Sequence, residues 1–315
     1  MRLVTLDRPP KGRSGALIGD EVLDFGMAGE IFPLASWVPA DMVDIIATGP
    51  EGLAIVKSLV DRVTSATEAQ KKSLREIGAL VPAKGTRLRA PVRPGIVFSH
   101  GRAYGSHRKE MGSAAVNPEE KPGGFLKNIS AVIGPGAPIY VPPQAPDMLD
   151  FEGEISIVFG KFCHNVKAKD ALDYVMGVTI VNDVSARDWV KTMKTHGNDI
   201  NRMGKQLPSF CPLGPCIATK DEIADIMRMH VVSRLNGQVM QDSWTDDLIW
   251  NLPELIEYYS FWHPFRPGDV MTTGSPAGVG MGRKPPVFMK PGDTIAITVD
   301  GVGTLENPIV AGPAK

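Results

Sequence analysis

Residues 148–159 read Met-Leu-Asp-Phe-Glu-Gly-Glu-Ile-Ser-Ile-Val-Phe, and this stretch decides how the rest of the chain is interpreted. Because side chains two residues apart share one face of an extended strand, a strand here places Asp150, Glu152 and Glu154 on one face and apolar side chains on the other. The apolar face predicts packing into a core, whereas neighbouring carboxylates on one face repel each other. A hard divalent cation such as Mg²⁺ would offset that repulsion, and an exposed acidic strand face is the alternative.

Residues 178–183 read Val-Thr-Ile-Val-Asn-Asp and supply a third candidate carboxylate. A continuous β-branched run is typical of a strand buried on both faces, and this run ends at Asp183. A carboxylate at the end of a buried strand is well placed to bind a metal ion, but Asp is also a favoured cap of a following turn or helix. The residue pattern alone leaves both interpretations open.

Outward from these two runs, the chain from residue 95 onward consists of short β-branched segments separated by Gly and Pro turns. This spacing is typical of a sandwich or barrel, so the predicted fold class is β-rich α+β. Strands are predicted at residues 96–98, 131–133, 139–141, 154–159, 178–182, 230–235, 270–273, 294–299 and 303–308. Helices are predicted at residues 168–174 and 252–261.

The segment before residue 90 mixes strand-like and helical patterns and is predicted to be a small N-terminal α+β domain. It contains strand-like residues 2–6 and 21–25, followed by helical residues 52–63 and 68–77. A proline-rich stretch, residues 80–94, reads as a linker or an edge segment. The predicted domains are therefore residues 1–90 and 91–315.

Composition excludes several classes of protein. Lys and Arg number 34 against 35 Asp and Glu, so the chain lacks the basic footprint of nucleic-acid-binding and polybasic membrane-surface proteins. No apolar run approaches the roughly 18 residues of a membrane helix, and no apolar signal segment opens the sequence. The three cysteines are odd in number and lack zinc-type spacing. We expect reduced thiols, a cytoplasmic protein, and neither nucleic acid nor membrane as partner.

Residues 104–110, Tyr-Gly-Ser-His-Arg-Lys-Glu, carry a candidate catalytic pair. His107 and Glu110 are neighbours on a helical turn, so the carboxylate can orient the imidazole and stabilise its protonated form. An exposed surface pair is the alternative. Small residues before residue 104 and along residues 112–124 predict that this turn belongs to a mobile lid.

Taken together, these blocks resemble the fumarylacetoacetate hydrolase family over roughly residues 95–310. The matching blocks, in order, are Tyr104-x-x-His107-x-x-Glu110, Leu149-Asp-Phe-Glu152-Gly-Glu154, Val181-Asn-Asp183-Val-Ser-Ala-Arg187-Asp188, Gly204-Lys205 with Cys211-Pro-Leu-Gly-Pro215, Thr273-Gly-Ser-Pro-Ala-Gly-Val-Gly280, and Lys290-Pro-Gly-Asp-Thr with Gly301-Val-Gly-Thr-Leu-Glu-Asn307-Pro. The resemblance implies a mixed β-sandwich roll, a homodimer, and a bound Mg²⁺ (or Mn²⁺ or Ca²⁺).

The resemblance also assigns expected roles to nine residues. The metal ligands would be Glu152, Glu154 and Asp183. The catalytic groups would be His107, Glu110 and Lys205. The substrate contacts would be Tyr104, Arg187 and Thr273. A basic set in the same segments favours an anionic substrate if its members converge: Arg108, Lys109, Arg187, Lys191, Lys194 and Lys205. For Lys191 and Lys194, a solvated run of charges is the alternative. The substrate that the resemblance implies is a small anionic 2-oxo acid.

The leading hypothesis for function is a metal-dependent hydrolase that cleaves a C–C bond of a small β-diketo acid. An acylpyruvate or fumarylpyruvate-like acid, as met in the catabolism of aromatic compounds, would be cleaved through a metal-bound enolate. One alternative uses the same site for an isomerase or hydratase of 2-hydroxy-diene-dioates, or for a decarboxylase of 2-oxo acids such as oxaloacetate. A non-catalytic, metal-stabilised binding protein is the alternative from another class.

Overall fold

A computed structural model describes residues 1–112, 119–189 and 200–313 of the chain. It confirms the predicted β-rich α+β class, with one large sheet, a five-stranded sheet and a short two-stranded ladder. Within the described ranges, no helix combines the length and the apolar character that crossing a bilayer would need.

The strands are β1 (Arg2–Leu6), β2 (Arg13–Ile18), β3 (Glu21–Asp24), β4 (Leu80–Pro82), β5 (Leu88–Arg89), β6 (Val97–Gly101), β7 (Gly123–Lys127), β8 (Val132–Ile133), β9 (Ile139–Val141), β10 (Leu149–Asp150), β11 (Gly153–Phe159), β12 (Val175–Asn182), β13 (Ser185–Ala186), β14 (Cys211–Thr219), β15 (His230–Leu235), β16 (Gln238–Trp244), β17 (Val270–Thr272), β18 (Thr294–Val299) and β19 (Gly303–Ala311). The α-helices that lie wholly within the described residues are α1 (Phe25–Ala28), α2 (Met42–Ala47), α3 (Gly49–Thr64), α4 (Glu68–Glu76), α5 (Gly105–Glu110) and α6 (Leu252–Trp262). Short 3₁₀ helices lie at Pro33–Trp37, Ile129–Ala131, Ala168–Tyr174, Ile200–Lys205, Lys220–Glu222, Thr245–Asp247 and Gly280–Gly282.

The large sheet runs through both predicted domains. Its strand order is β4-β3-β2-β1-β14-β12-β11-β17-β6-β7, with β5 paired to β1 and β8 to β14. The junction between the two parts is the antiparallel pair of β1 and β14, where Leu3 lies opposite Ile217. The N-terminal strands therefore extend the same sheet that carries the acidic strands, and the boundary near residue 90 stays a prediction.

Apolar side chains of the large sheet pack against three other parts of the protein. Ile155 of β11 shares a buried cluster with Ile297 of β18, which joins the large sheet to the five-stranded sheet β16-β15-β18-β19-β9. Leu59 of α3 packs with the N-terminal strands. Leu255 of α6 packs with Phe159 at the far end of β11. Because β11 and β12 are buried along their whole length, their polar residues sit inside the protein.

The predicted strand over residues 154–159 is confirmed as β11, but the extension of its acidic face back to Asp150 is wrong. The chain leaves the sheet at Phe151 and Glu152, so that β10 pairs with β13 while β11 belongs to the large sheet. The Asp150 carboxylate fixes this break, because it accepts hydrogen bonds from the amide of Phe151 at 2.9 Å and from that of Gly280 at 2.7 Å. Asp150 therefore does not share a face with Glu152 and Glu154.

Several strands carry no clear signal in the sequence. The sequence pattern did not predict β2, β7, β14 and β16. It also predicted an α-helix at residues 168–174, where Ala168–Tyr174 forms a 3₁₀ helix. Glycine and proline explain two of these omissions. The two prolines of β14 and the two glycines that open β7 are turn signals when they are interpreted without their tertiary context.

Packing between β12 and β14 yields a test of the fold. A methyl group added at Gly177 would lie 2.3 Å from the carbonyl oxygen of Ala218, a contact that only a shift of backbone can relieve. We expect Gly177→Ala to lower the free energy of unfolding, measured by urea denaturation, by about 1–3 kcal/mol. Gly123→Ala, on a strand of the same sheet with nothing near the added methyl, is the matched control. Equal losses in the two variants would contradict this packing.

Candidate active site

Three carboxylates from two neighbouring strands meet in the protein interior. β11 and β12 pair so that Gly153 lies opposite Asn182, and the amide of Asp183 donates to the carbonyl of Glu152 at 2.8 Å. One carboxylate oxygen from each of Glu152, Glu154 and Asp183 lies within 4.8 Å of the others, and all three residues are buried. We call these three residues the acid cluster.

Two lysines, the buried Lys127 and the partly exposed Lys205, partly neutralise the acid cluster. Lys205 Nζ lies 2.7 Å from an oxygen of Glu152 and 2.7 Å from an oxygen of Asp183. Lys127 Nζ, on a side chain with no exposed surface, binds the other oxygen of Asp183. The same ammonium donates to the carbonyl of Lys205 at 2.9 Å, so Lys127 also fixes the backbone that carries Lys205.

Arg187 connects the acid cluster to the turn at Asp150. Its guanidinium binds Glu152 and, at 2.9 Å, Asp150. Burial raises the pKa of Glu152, but the positive charges of Lys205 and Arg187 outweigh burial and hold that pKa well below its ordinary value. Glu152 is therefore an ionised carboxylate within the protein.

Glu154 is the member of the acid cluster that forms no ion pair among the described residues. Neither of its carboxylate oxygens has a hydrogen-bond partner among the described residues, although the side chain is buried. Burial, followed by the negative charges of Asp183 and Glu152, raises the pKa of Glu154 well above its ordinary value. Three convergent carboxylates with an orphaned pair of oxygens fit a hard divalent cation such as Mg²⁺ or Mn²⁺, which prefers oxygen ligands.

The predicted helical turn forms as α5 and brings His107 to the acid cluster. His107 Nδ1 lies 3.3 Å from an oxygen of Glu110. Because a carboxylate can only accept, Nδ1 carries a proton, and in the neutral imidazole Nε2 keeps a lone pair. The other oxygen of Glu110 accepts from the amide of Gly278 at 2.9 Å. His107 lies near enough to Glu152 for its protonated form to lower the pKa of that carboxyl.

The three expected substrate contacts lie around the acid cluster but already have protein partners. Thr273 donates its hydroxyl proton to the carbonyl of Ile155 at 3.0 Å, so the phenol of Tyr104, 3.2 Å away, is the donor to Thr273. Burial raises the pKa of Tyr104, which keeps that phenol neutral. Arg187 already binds two carboxylates. The roles of Tyr104, Arg187 and Thr273 as substrate contacts stay predictions.

The basic set converges only in part. Arg187 and Lys205 reach the acid cluster, whereas Arg108 is paired with Glu120 through two hydrogen bonds of 2.8 Å. Lys109 is exposed. Lys191 and Lys194 lie outside the described residues, as do residues 113–118 of the predicted lid.

Lys127 is the site residue that the sequence interpretation missed. It ends β7, and β7 was not predicted, so nothing indicated that this lysine would be buried. The same strand places the ring of Phe125 with its centroid 5.7 Å from Lys205 Nζ. A lysine that ends a Gly-Gly-Phe-Leu run before a turn is a weak signal, because such residues are ordinarily exposed.

Comparison with known proteins agrees with the resemblance. The family model described as fumarylacetoacetate (FAA) hydrolase C-terminal matches residues 96–310. The oxaloacetate tautomerase YisK of Bacillus subtilis is 36% identical over 300 residues, which cover 94% of this chain and 95% of that protein. The solved 5-carboxymethyl-2-hydroxymuconate delta-isomerase of Mycobacterium smegmatis is 32% identical with a TM-score of 0.70, covering 100% of each chain. The maleylpyruvate hydrolase of Sphingobium sp. SYK-6, solved with manganese(II) and pyruvate, is 27% identical with a TM-score of 0.74, covering 99% of this chain and 100% of that one.

The unpartnered carboxylate of Glu154 predicts that substituting this residue changes the melting temperature in one direction without metal and in the other direction with metal. Glu154→Gln replaces a buried acid, whose ionised form is disfavoured in the metal-free protein, by a neutral side chain of similar shape, so its melting temperature in EDTA should equal or exceed that of the wild type. In saturating Mn²⁺ the order should reverse, because the variant lacks one ligand and gains less stabilisation from binding.

Differential scanning calorimetry in EDTA and in Mn²⁺ measures both melting temperatures. Glu306→Gln, at an exposed carboxylate on β19, is the matched control and should leave both unchanged. If the melting temperature of Glu154→Gln lies above that of the wild type in both conditions, or below it in both, the acid cluster does not bind the metal.

Proposed function

This chain belongs to the fumarylacetoacetate hydrolase family, and on that premise we propose that it is a metal-dependent enzyme that interconverts the keto and enol forms of a small 2-oxo acid, with oxaloacetate as the substrate. The observation that carries this proposal is the His107–Glu110 pair held beside the buried acid cluster. Enolisation of a 2-oxo acid needs a base at one carbon and positive charge near the oxygen, and the site combines both.

The acid cluster would hold the metal. Glu152, Glu154 and Asp183 would be its ligands, as the orphaned oxygens of Glu154 suggest. A bound Mg²⁺ or Mn²⁺ supplies Lewis-acid polarisation of the carboxylate and keto oxygens of a 2-oxo acid. The manganese and pyruvate in the maleylpyruvate hydrolase relative support this arrangement.

His107 would transfer the proton. Its Nε2 lone pair takes the proton from C3, the electrons of the C3–H bond form the C2=C3 double bond, and the C2 carbonyl becomes an enolate oxygen. Protonation of that oxygen completes the enol. Glu110 holds Nδ1–H and stabilises the imidazolium that exists between the two transfers.

Lys205 would stabilise the enolate oxygen. Burial lowers the pKa of Lys205, but Asp183 and Glu152 raise it further, so the net shift is upward and the ammonium keeps its charge. This lysine has two carboxylate partners at 2.7 Å and would retain at least one when its ammonium turns toward a substrate. The small anionic substrate would be recognised by this ammonium together with the metal.

Hydrolysis of an acylpyruvate, the leading hypothesis from the sequence, shares the same enolate chemistry. The maleylpyruvate hydrolase relative favours it, whereas the oxaloacetate tautomerase and the delta-isomerase favour the isomerase and oxaloacetate alternatives. Two considerations support tautomerisation. The tautomerase is the most identical of these three relatives, and proton transfer needs no separate water-activating group.

The reaction itself is tested with freshly dissolved enol-oxaloacetate. We expect the protein with Mg²⁺ or Mn²⁺ to accelerate the decay of the enol ultraviolet absorbance, and EDTA to abolish the acceleration without unfolding the chain. A panel of acylpyruvates, assayed for pyruvate release, is run in parallel. Rapid release of pyruvate without acceleration of the tautomer exchange would favour the hydrolase over this proposal.

The base is tested with His107→Ala. Loss of a general base should lower kcat for tautomerisation by about 10²–10⁴-fold, while the affinity for Mn²⁺, measured by isothermal titration calorimetry, stays unchanged. His164→Ala, at an exposed histidine away from α5, is the control and should retain full activity. A fully active His107→Ala enzyme would eliminate His107 as the base.

A further inference from the structure

We propose that Asp247 is the positioning residue that sets the catalytic geometry of His107, by anchoring the first turn of α5. The inference rests on the proposed function, because it concerns the same proton transfer. It adds a residue far from the acid cluster in sequence, on the 3₁₀ turn Thr245–Asp247.

His107 needs an external anchor. Its ring is 3.3 Å from Glu110, which is at the long end for a hydrogen bond, and both residues belong to the same six-residue helix. A helix of this length is not stable by itself, so its position depends on contacts with other segments. The position of the imidazole therefore follows from how α5 is held.

Asp247 makes the contact nearest to His107 at the start of α5. One carboxylate oxygen accepts the amide proton of Ser106 at 2.9 Å and also binds the hydroxyl of Ser106. Ser106 directly precedes His107. This two-point contact fixes both the backbone and the side chain of the preceding residue, and hence the direction in which the imidazole leaves the helix.

The segment that carries Asp247 is itself fixed. Thr245 is buried, and its hydroxyl accepts from the amide of Met229 at 2.9 Å and donates to the carbonyl of Met227 at 2.9 Å. The next turn reaches back to the chain before α5, since the amide of Ile249 donates to the carbonyl of Ala103 at 2.8 Å. Asp247 therefore connects α5 to the rigid β15–β16 hairpin.

The far end of α5 has a separate anchor. Glu110 accepts from the amide of Gly278, and a methyl group added at Gly282 would lie 2.2 Å from the carboxyl carbon of Glu110. With this end held by residues 278–282, loss of Asp247 should tilt the helix about Glu110 and not release it. We therefore expect misplacement of His107 without loss of the fold.

The experiment compares Asp247→Ala, Asp247→Asn and Asp246→Ala with the wild type. We expect Asp247→Ala to lower kcat for tautomerisation by about 10–100-fold, the loss that misplacement of a catalytic group by about 1 Å produces. KM and Mn²⁺ affinity should change by less than about threefold, since the acid cluster is untouched. Asp247→Asn keeps an acceptor oxygen for Ser106 and should recover most of the activity. Asp246→Ala is the matched control, because Asp246 is exposed and pairs with Arg228 instead.

Hydrogen–deuterium exchange provides a readout that needs no activity. Peptides within residues 103–112 should exchange faster in Asp247→Ala than in the wild type, and peptides from β11 and β12 should not. If exchange at residues 103–112 is unchanged, or if kcat matches that of Asp246→Ala, Asp247 does not position His107. A wild type without tautomerase activity would remove the proposed function, and the exchange result would still decide whether Asp247 anchors α5.

Discussion

Burial of three carboxylates within 4.8 Å of one another is the constraint on which the rest of the structure depends. In an apolar interior such charges are costly unless cations and hydrogen bonds compensate them. Lys127, Lys205 and Arg187 supply compensation for Asp183 and Glu152, and they come from three separate parts of the chain. Among the described residues no cation forms an ion pair with Glu154, and its oxygens have no hydrogen-bond partner. The protein's own residues thus neutralise the acid cluster only in part, which fits the proposed binding of a divalent ion.

The convergence of Glu152, Glu154 and Asp183 could be predicted from the sequence because strand periodicity and a strand-end acid are local signals. The spacing of His107 and Glu110 is local in the same way, and α5 forms as predicted. Lys127 and Asp247 could not be predicted, since their importance arises from contacts with residues 56 and 141 positions away along the chain. Asp150 was misplaced because the strand pattern continues through a break that hydrogen bonds from a distant loop create.

The site proposed here is compatible with the different reactions named for three relatives, which are a tautomerase, an isomerase and a hydrolase. Each of these reactions can pass through an enolate that is held at positive charge beside a base. In the proposed function, the acid cluster and its cations would provide the positive charge, and α5 would provide the base. These two parts come from different regions of the chain: the centre of the large sheet, and a short helix that contacts residues 247 and 278.

The hairpin of β6 and β7 has a consequence for the geometry of the proposed site. Its first strand leads into the helix with His107, and its second strand ends at Lys127, beside Asp183. Because Gly101 pairs with Gly123, the register of both strands is fixed below the connecting segment. A shift in the pairing of β6 with β7 would therefore move the segment that leads to His107 against the lysine beside Asp183. One strand register thus sets the spacing between the two sides of the proposed site.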